Sequence, residues 1–221
     1  MERKLRVKCL VLDHDDTVVK STPEINYPAF KKSLSVLRPE VELTYEKFTE
    51  MNFIPGFEPM CREIFKLTDE EMEYQVNGWK EASAKTIPHV YEGLPELLNE
   101  YVRQGGKICV STQSLRTTVL RDYRSAGMPE PDLIFDWDCP HRKPDPYAIR
   151  ETMRQFSYQP EELLMVDDLK TGYDMATACG VPFACAGWSD NQIPMIREFM
   201  QQYSDYYLKT TKELEDLLYD T

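Results

Sequence analysis

The amino-acid sequence predicts an α/β protein in which a parallel β-sheet is flanked by helices and a small all-helical unit is inserted after the first strand. Three observations lead to this prediction. Short apolar runs typical of buried strands recur along the chain, and segments with helical periodicity separate most of them. The segment 23–86 interrupts this alternation, because it contains helical patterns and no convincing strand. The length of 221 residues suits one α/β domain with a small insertion.

The predicted strands are short runs of apolar, β-prone residues. Because helical segments of about three turns lie between them, consecutive strands are expected to run parallel and to be joined by helical crossovers. We predict five strands, at Val7–Leu12, Lys107–Ser111, Leu133–Phe135, Leu163–Val166 and Phe183–Ala186.

The helices predicted in this α/β part each carry an apolar face. In the segment Leu94–Gln104, Leu97, Leu98 and Tyr101 fall on one face, and the following Gly105-Gly106 pair ends the helix. Similar patterns predict further helices at Thr117–Ala126, Pro146–Phe156 and, near the end of the chain, Thr211–Tyr219.

The inserted unit is predicted to be a helical cap of residues 21–89, and residues 1–20 and 90–221 form the core domain. Thr44 and Thr68 have the character of N-caps, because each hydroxyl can accept a backbone N–H of the first turn and an acidic residue follows within that turn. The connections 18–23 and 86–93 are the expected hinges. The four cap helices are predicted at Ile25–Leu37, Thr44–Met51, Glu58–Phe65 and Thr68–Lys85.

Composition excludes several classes of partner. The net charge of −12 argues against a nucleic-acid partner and against an anionic membrane surface, because both require clustered Lys and Arg. It leaves room for a small anionic substrate, since a metal ion and a few basic groups reverse the sign of the charge locally.

Cysteine usage and the N-terminus predict a cytoplasmic protein. The six cysteines form no CxxC motif, and Cys9 and Cys109 lie inside strand-like runs, so we expect reduced thiols in the core. The first apolar run is too short for a signal peptide, and no stretch reaches the length of a membrane span.

The run Cys-Leu-Val-Leu-Asp-His-Asp-Asp-Thr at residues 9–17 is the most informative stretch of the chain. An apolar strand ends in two carboxylates, Asp13 and Asp15, with Thr17 close behind. The carboxyl ends of strands in an open parallel sheet are the usual place for a binding site. Because Asp13 and Asp15 are separated by one residue, both can contact one bound ion or phosphate, and the pattern indicates phosphoryl transfer through an aspartate.

Two further motifs supply hydroxyl and ammonium groups. The second strand ends in Ser111-Thr112-Gln113, and Thr112 is the candidate donor to a phosphoryl oxygen, with Ser111 as the alternative. Further along, Pro144 and a second proline two residues later fix the backbone beside Lys143. A rigidly held ammonium suits charge neutralisation between a carboxylate and a phosphate.

The fourth motif is a second acidic strand end, Asp167-Asp168, after the run Leu163–Val166. Carboxylate oxygens at a strand end favour Mg²⁺, which takes one or two carboxylates together with water and phosphate oxygens.

These four motifs resemble, in order, those of the haloacid dehalogenase-like (HAD) hydrolase superfamily, in the subfamily with a helical cap after the first strand, and the chain is similar to phosphoglycolate phosphatases. The motifs are Asp13-x-Asp15-x-Thr17, Thr112, Lys143 and Asp167-Asp168. The resemblance spans most of the core and implies a Rossmann-like α/β fold.

The resemblance also implies a role for each motif residue. Asp13 is expected to be the nucleophile that forms an aspartyl-phosphate, and Asp15 the general acid and base. Thr112 and Lys143 are expected to hold the phosphoryl group. The implied ligands of Mg²⁺ are Asp13, the backbone carbonyl of Asp15, Asp168 and Asp167, the last either as a direct ligand or as a group that supports one.

Three positions need comment against the family pattern. Asp16 stands where the family usually has Gly, and Asp tolerates unusual backbone angles better than most residues. Gly172 stands where some members place a second Asp, so the acidic pair here is adjacent. His14 lies between the two key carboxylates, and its side chain is expected to point away from them because neighbouring side chains alternate.

In the resembling family the cap closes over the core and selects the substrate. The loop Ile54-Pro55-Gly56-Phe57 is expected to face the active site, with Gly56 allowing close backbone approach to a ligand. Arg62 is a candidate for a second anionic group of the substrate. Tyr45, Phe48, Phe53 and Trp79 are expected to be cap core, and Trp188 to be structural. The full set of predicted substrate-binding residues is Thr17, Ser111, Gln113, Gly56 and Arg62.

The sequence therefore predicts a Mg²⁺-dependent phosphatase for a small phosphorylated metabolite, acting as a monomer or small homo-oligomer. One alternative is a phosphomutase resembling β-phosphoglucomutase, although Ile25 occupies the hinge position where those enzymes carry a histidine. The other alternative is a non-catalytic protein that binds a phosphorylated ligand.

Overall fold

Six strands form the central sheet, all pairs are parallel, and their order is β3-β2-β1-β4-β5-β6. The computed structural model describes residues 4–220. The five predicted strands are confirmed, and a sixth strand of three residues, at the edge of the sheet, was not predicted. The strands are β1 (Cys9–Leu12), β2 (Lys107–Ser111), β3 (Leu133–Phe135), β4 (Leu163–Asp167), β5 (Phe183–Ala186) and β6 (Tyr206–Leu208).

The strand order creates one crevice at the carboxyl edge of the sheet. From β1 the chain builds outwards through β2 and β3 on one side, and then returns to add β4, β5 and β6 on the other. In register, Leu10 of β1 lies between Ile108 of β2 and Leu164 of β4. The order reverses between β1 and β4, which is where ligands bind in open parallel sheets.

Both faces of the sheet are buried, as expected for a parallel sheet. Leu10 and Leu12 of β1 pack into one apolar cluster, and Cys9 and Val11 pack into a second cluster on the opposite face. None of these four side chains is more than 1% exposed. The six cysteines are free thiols, four of them buried, in agreement with the predicted core thiols.

Helices cover both faces of the sheet. The three core helices predicted by periodicity and the helix near the end of the chain are confirmed to within two residues at each end. Within residues 4–220, no helix is both long and apolar enough to cross a membrane. The core helices are α5 (Leu94–Arg103), α6 (Arg116–Ser125), α7 (Tyr147–Phe156), α8 (Lys170–Thr177), α9 (Pro194–Tyr203) and α10 (Thr211–Leu218).

The insertion is helical, as predicted, and both predicted N-caps are present. The Thr44 hydroxyl accepts from the backbone N–H of Lys47 at 3.2 Å. The Thr68 hydroxyl accepts from the N–H of Glu71, whose carboxylate accepts from the N–H of Thr68, which completes a capping box. The insertion helices are α1 (Tyr27–Leu37), α2 (Tyr45–Phe53), the single turn α3 (Phe57–Pro59) and α4 (Asp69–Lys85).

Two predicted cap helices differ from the regular α-helices expected. The first is preceded by a π-helical turn at Thr22–Asn26. Pro28 has no backbone N–H to close the α-helical hydrogen bond to Glu24, and this favours a wider turn there. The segment predicted as a helix at Glu58–Phe65 consists of α3 followed by a π-helical turn at Met60–Ile64.

The insertion has its own apolar core, which includes Phe30, Phe48, Met60 and Phe65. The two connections to the sheet run side by side: Lys20 N–H donates to the His89 carbonyl at 2.8 Å, and Tyr91 N–H donates to the Val18 carbonyl at 3.1 Å. This separate core and paired connection support our proposal that residues 21–89 act as a cap on the core domain.

Candidate active site

The first acidic motif follows β1 directly, at the crevice where the strand order reverses. The backbone N–H of Asp13 donates to the Val166 carbonyl of β4 at 2.9 Å, which extends the sheet by one residue. Asp13 is buried, and its carboxylate lies 2.7 Å from Nζ of Lys143. The strand pairing therefore fixes the position of this carboxylate.

Asp15 lies in a different environment from Asp13. Its Oδ2 atom accepts hydrogen bonds from the hydroxyls of Thr112, at 3.1 Å, and Ser114, at 2.7 Å. The Thr112 hydroxyl also accepts from the backbone N–H of Ser114 at 3.0 Å. Thr112, predicted to hold a phosphoryl group, therefore orients Asp15 in this structure.

His14 points away from both carboxylates, as predicted from the alternation of neighbouring side chains. Its imidazole is buried on the other side of the loop, with Nε2 at 3.1 Å from the Asp122 carboxylate and the ring stacked on Tyr123. The residue between the two key aspartates thus anchors the loop to α6.

Asp16 adopts a left-handed conformation with φ of 59°, which favours glycine. The loop accommodates Asp at this position because Asp adopts that conformation more readily than most other residues. The carboxylate is buried and accepts from the backbone N–H of Thr22 at 3.0 Å. Burial raises the pKa of Asp16 to about 8, although the hydrogen bond from Thr22 opposes this shift.

Lys143 joins the first and fourth motifs. Its buried ammonium lies 2.7 Å from Asp13 and 2.5 Å from Asp167. Burial alone lowers the pKa of a lysine, but the charges of Asp13 and Asp167 outweigh it and raise the pKa of Lys143 above its usual value. Lys143 is therefore a fixed positive charge between two carboxylates.

Asp167, the last residue of β4, is held on both oxygens. One accepts from Lys143, and the other accepts from the backbone N–H of Leu169 at 2.8 Å. The start of α8 packs so closely on this carboxylate that a Cβ atom at Gly172 would overlap it. The glycine in the fourth motif is thus required by the approach of α8 to Asp167.

Asp168 is held by a loop that follows β5. Its Oδ2 atom accepts from the Ser189 hydroxyl at 3.2 Å and from Nδ2 of Asn191 at 2.9 Å. The Tyr45 hydroxyl, from α2 of the cap, donates to Oδ1 of Asn191 at 2.7 Å. A chain of hydrogen bonds therefore runs from the cap to an acidic residue of the site.

Asp13, Asp167 and Asp168 form an acidic cluster, with one oxygen from each lying within 4.8 Å of the others. Burial and the neighbouring carboxylates raise the pKa values of Asp13 and Asp168 well above their usual range, whereas Lys143 opposes the shift. Three buried carboxylates with one ammonium leave an excess of negative charge. This oxygen-only set fits a hard divalent cation such as Mg²⁺.

A cavity of about 630 Å³ opens above this cluster, between the core and the cap. Its floor includes Asp13, Asp15, Lys143, Asp167 and Asp168. Two core side chains that sequence reasoning did not select also line it: Trp137, and Arg142, whose guanidinium lies 4.6 Å from the centre of the Trp137 ring.

The predicted substrate-binding residues divide into two groups. Gln113 and Gly56 line the cavity. Thr17 and Ser111 are buried and are not part of the lining. Arg62 also lies outside it, because its guanidinium donates to the Leu67 carbonyl and pairs with Asp69 at 2.7 Å. Its position therefore does not support the predicted contact between Arg62 and the substrate.

The aromatic residues assigned to the cap core also divide. Phe48 is a buried member of the cap's apolar core, as predicted, and it also lines the cavity. Trp79 lines the cavity, whereas Phe53 packs on Phe199 of the core domain. Trp188 makes a structural contact, as predicted, because its indole N–H donates to the Thr17 carbonyl at 3.0 Å.

Sequence reasoning missed Ser114 and the pair Ser189 and Asn191. Ser114 stands two residues after Thr112 in the same polar strand end, so the clustering of hydroxyls was an available signal. Ser189 and Asn191 follow β5, and their contact with Asp168 depends on how the loop folds back, which has no local sequence pattern.

Comparisons with known proteins agree with this arrangement. A family model described as haloacid dehalogenase-like hydrolase matches residues 10–186. Pyrophosphatase PpaX of Bacillus cereus is 23% identical over 224 residues, covering 97% of each chain. A haloacid dehalogenase-like hydrolase from Bacteroides fragilis superposes with a TM-score of 0.78 at 21% identity, covering 94% of this chain and 99% of that one. A predicted phosphoglycolate phosphatase from Haemophilus somnus gives a TM-score of 0.75 at 18% identity, with 96% and 98% covered.

Proposed function

The chain belongs to the haloacid dehalogenase-like hydrolase family, and from this premise we propose that it is a Mg²⁺-dependent phosphatase acting on a small phosphorylated metabolite. The observation that carries the proposal is the contrast between the two carboxylates of the first motif. Asp13 lies in the acidic cluster beside Lys143. The carboxylate of Asp15 instead accepts hydrogen bonds from two hydroxyls. Such separate environments suit a nucleophile and a proton carrier.

In the first half-reaction, an oxygen of Asp13 attacks the phosphorus atom and forms an aspartyl-phosphate. The bond between phosphorus and the leaving oxygen breaks, and Asp15 gives its proton to that oxygen. Lys143 fixes Asp13 and places positive charge next to the transferring group.

In the second half-reaction, water attacks the phosphorus atom while Asp15 takes a proton from it. The bond to Asp13 breaks, inorganic phosphate leaves, and both carboxylates return to their starting states. Thr112 and Ser114 keep Asp15 in one orientation through both steps.

Asp13, Asp167 and Asp168 are the residues that would hold Mg²⁺. The metal would supply positive charge that offsets the negative charge of the phosphoryl oxygens. One ammonium does not balance three carboxylates, so the acidic cluster can accept the additional positive charge of a metal ion.

The test is release of inorganic phosphate in Mg²⁺ and in chelator, measured across sugar phosphates, nucleotides, an aryl phosphate, phosphoglycolate and pyrophosphate. The last two belong in the panel because two of the similar proteins are named for those substrates. Asp13→Asn should abolish release, and Asp138→Asn, at an exposed site, should leave it unchanged.

Retention of activity by Asp13→Asn would refute the aspartyl-phosphate mechanism. Isomerisation of a sugar phosphate without phosphate release would indicate the mutase alternative instead. A cytoplasmic location and a monomeric or small homo-oligomeric state remain predictions.

A further inference from the structure

The cap side of the cavity combines apolar and aromatic side chains with polar ones, which are Thr22, Asn26, Thr49, Asn52, Glu58 and Gln75. Trp137 of the core completes this surface, with its ring centre 5.3 Å from that of Trp79. Such a surface favours a planar or apolar body in the ligand. The apolar cap side chains are Phe48, Phe57, Met72, Val76 and Trp79.

Two buried polar groups on the cap side of the lining have no hydrogen-bond partner among residues 4–220, the hydroxyl of Thr49 and the amide oxygen of Gln75. The hydroxyl can donate or accept, whereas the amide oxygen can only accept. Gln75 of α4 lines the cavity and is only 4% exposed. An amide carbonyl that is hidden from water and unpaired is unfavourable, so a donor is expected to reach it when the cavity is filled.

The charged side chains of the lining differ between the core end and the cap end of the cavity. Among the described residues, the lysine and arginine side chains of the lining are Lys143 and Arg142, both from one core loop. The cap contributes a carboxylate, Glu58, and no cation to the lining. A second phosphate or a carboxylate placed against the cap would lose its water without gaining an opposite charge.

We infer that the substrate is a phosphate monoester whose leaving group is uncharged, has a planar or apolar body, and carries a hydroxyl or N–H that donates to Gln75. This inference rests on the proposed phosphatase function and narrows it. It places bisphosphates and pyrophosphate, which carry a second anionic group, among the poor substrates.

The probes are phenyl phosphate, 3- and 4-hydroxyphenyl phosphate, 4-carboxyphenyl phosphate and pyrophosphate. The kcat/KM for phosphate release in Mg²⁺ is measured for the natural protein and for Gln75→Leu. Asn77→Leu is the matched control, because it removes an exposed amide from the same helix outside the cavity. Binding of the same probes to Asp13→Asn is measured by calorimetry.

We expect at least one hydroxyphenyl phosphate to exceed phenyl phosphate by roughly 10-fold in kcat/KM, and 4-carboxyphenyl phosphate and pyrophosphate to fall below phenyl phosphate. Gln75→Leu should abolish the advantage of the hydroxyl over phenyl phosphate. Its melting temperature should equal or exceed that of the natural protein, since the variant removes an unpaired buried group. Asn77→Leu should retain the advantage.

A preference for the hydroxyl that survives in Gln75→Leu would overturn the inference, as would a preference for the carboxylate or pyrophosphate. These results would not contradict the proposed phosphatase function, because phosphate is still released. If no probe is hydrolysed, the proposed function fails for this class. The binding measurements then decide the inference alone, with tighter binding of a hydroxyphenyl phosphate supporting it and equal binding refuting it.

Discussion

Replacing Lys143 with methionine should destabilise the metal-free protein strongly at neutral and alkaline pH. The ammonium is buried and contacts both Asp13 and Asp167, so the variant leaves two buried carboxylates without that partner. Removing one partner of a buried ion pair costs about 3–5 kcal/mol. Since 1 kcal/mol shifts the melting temperature of a chain of this size by about 2–4 °C, the expected loss is about 6–20 °C.

The loss should depend on pH. Burial raises the pKa of Asp13 above its usual value, and Lys143 opposes that rise, so the variant raises it further. A carboxyl whose pKa is higher in the folded than in the unfolded state destabilises the fold when it is ionised. The variant therefore gains stability relative to the natural protein as the pH falls through the raised pKa of Asp13. Lys143 stays charged between pH 5 and 9, because its own pKa is raised.

The assay is thermal unfolding followed by circular dichroism in chelator, at intervals between pH 5 and 9. Lys85→Met is the matched control, because it removes an exposed lysine paired with Glu81 and surface pairs contribute about 0–1 kcal/mol. Added Mg²⁺ should recover part of the loss in Lys143→Met, since the ion would compensate the same carboxylates. A loss below about 2 °C at pH 8, or an equal loss at pH 5 and pH 8, would refute the reasoning.

Two further changes test the support of the acidic cluster. Gly172→Ala adds a Cβ atom that would overlap the Asp167 side chain. The overpacking should lower the free energy of unfolding by about 1–3 kcal/mol and weaken the activation by Mg²⁺. A normal melting temperature together with a normal Mg²⁺ titration would contradict this. Tyr45→Phe removes the hydroxyl that donates to Asn191, so the Mg²⁺ concentration for half-maximal activity should rise by about 2- to 10-fold through Asp168. A lower melting temperature with an unchanged Mg²⁺ dependence would instead indicate a purely structural contact.

Local sequence determined most of the fold. Apolar runs of strand length and the helices between them predicted five of the six strands, and the parallel order then places the carboxyl ends of β1 and β4 together. Asp13 follows β1 directly and Asp167 is the last residue of β4, so their proximity could be predicted from topology. The N-caps at Thr44 and Thr68 were predictable for the same reason, since a cap depends on residues within one turn.

Contacts between residues distant in the chain could not be predicted in this way. Thr112 was predicted to hold a phosphoryl group, and the structure adds a contact that was not predicted, the hydrogen bond that its hydroxyl donates to Asp15, 97 residues away in the chain. The position of Arg62 is a separate, local matter: its guanidinium donates to the Leu67 carbonyl and pairs with Asp69, outside the cavity lining.

The sequence by itself determined the fold class, the helical insertion and the four chemical motifs, because strand length, helical period and capping depend on neighbours within a few residues. Only the tertiary structure decided which groups line the cavity and which side chains hold Asp15 and Asp168 by hydrogen bonds. Gln75 lies buried against the cavity, and Asn191 connects the cap to Asp168. The second contact depends on the packing of the cap against the core, which brings Tyr45 within hydrogen-bond distance of Asn191, 146 residues away in the chain.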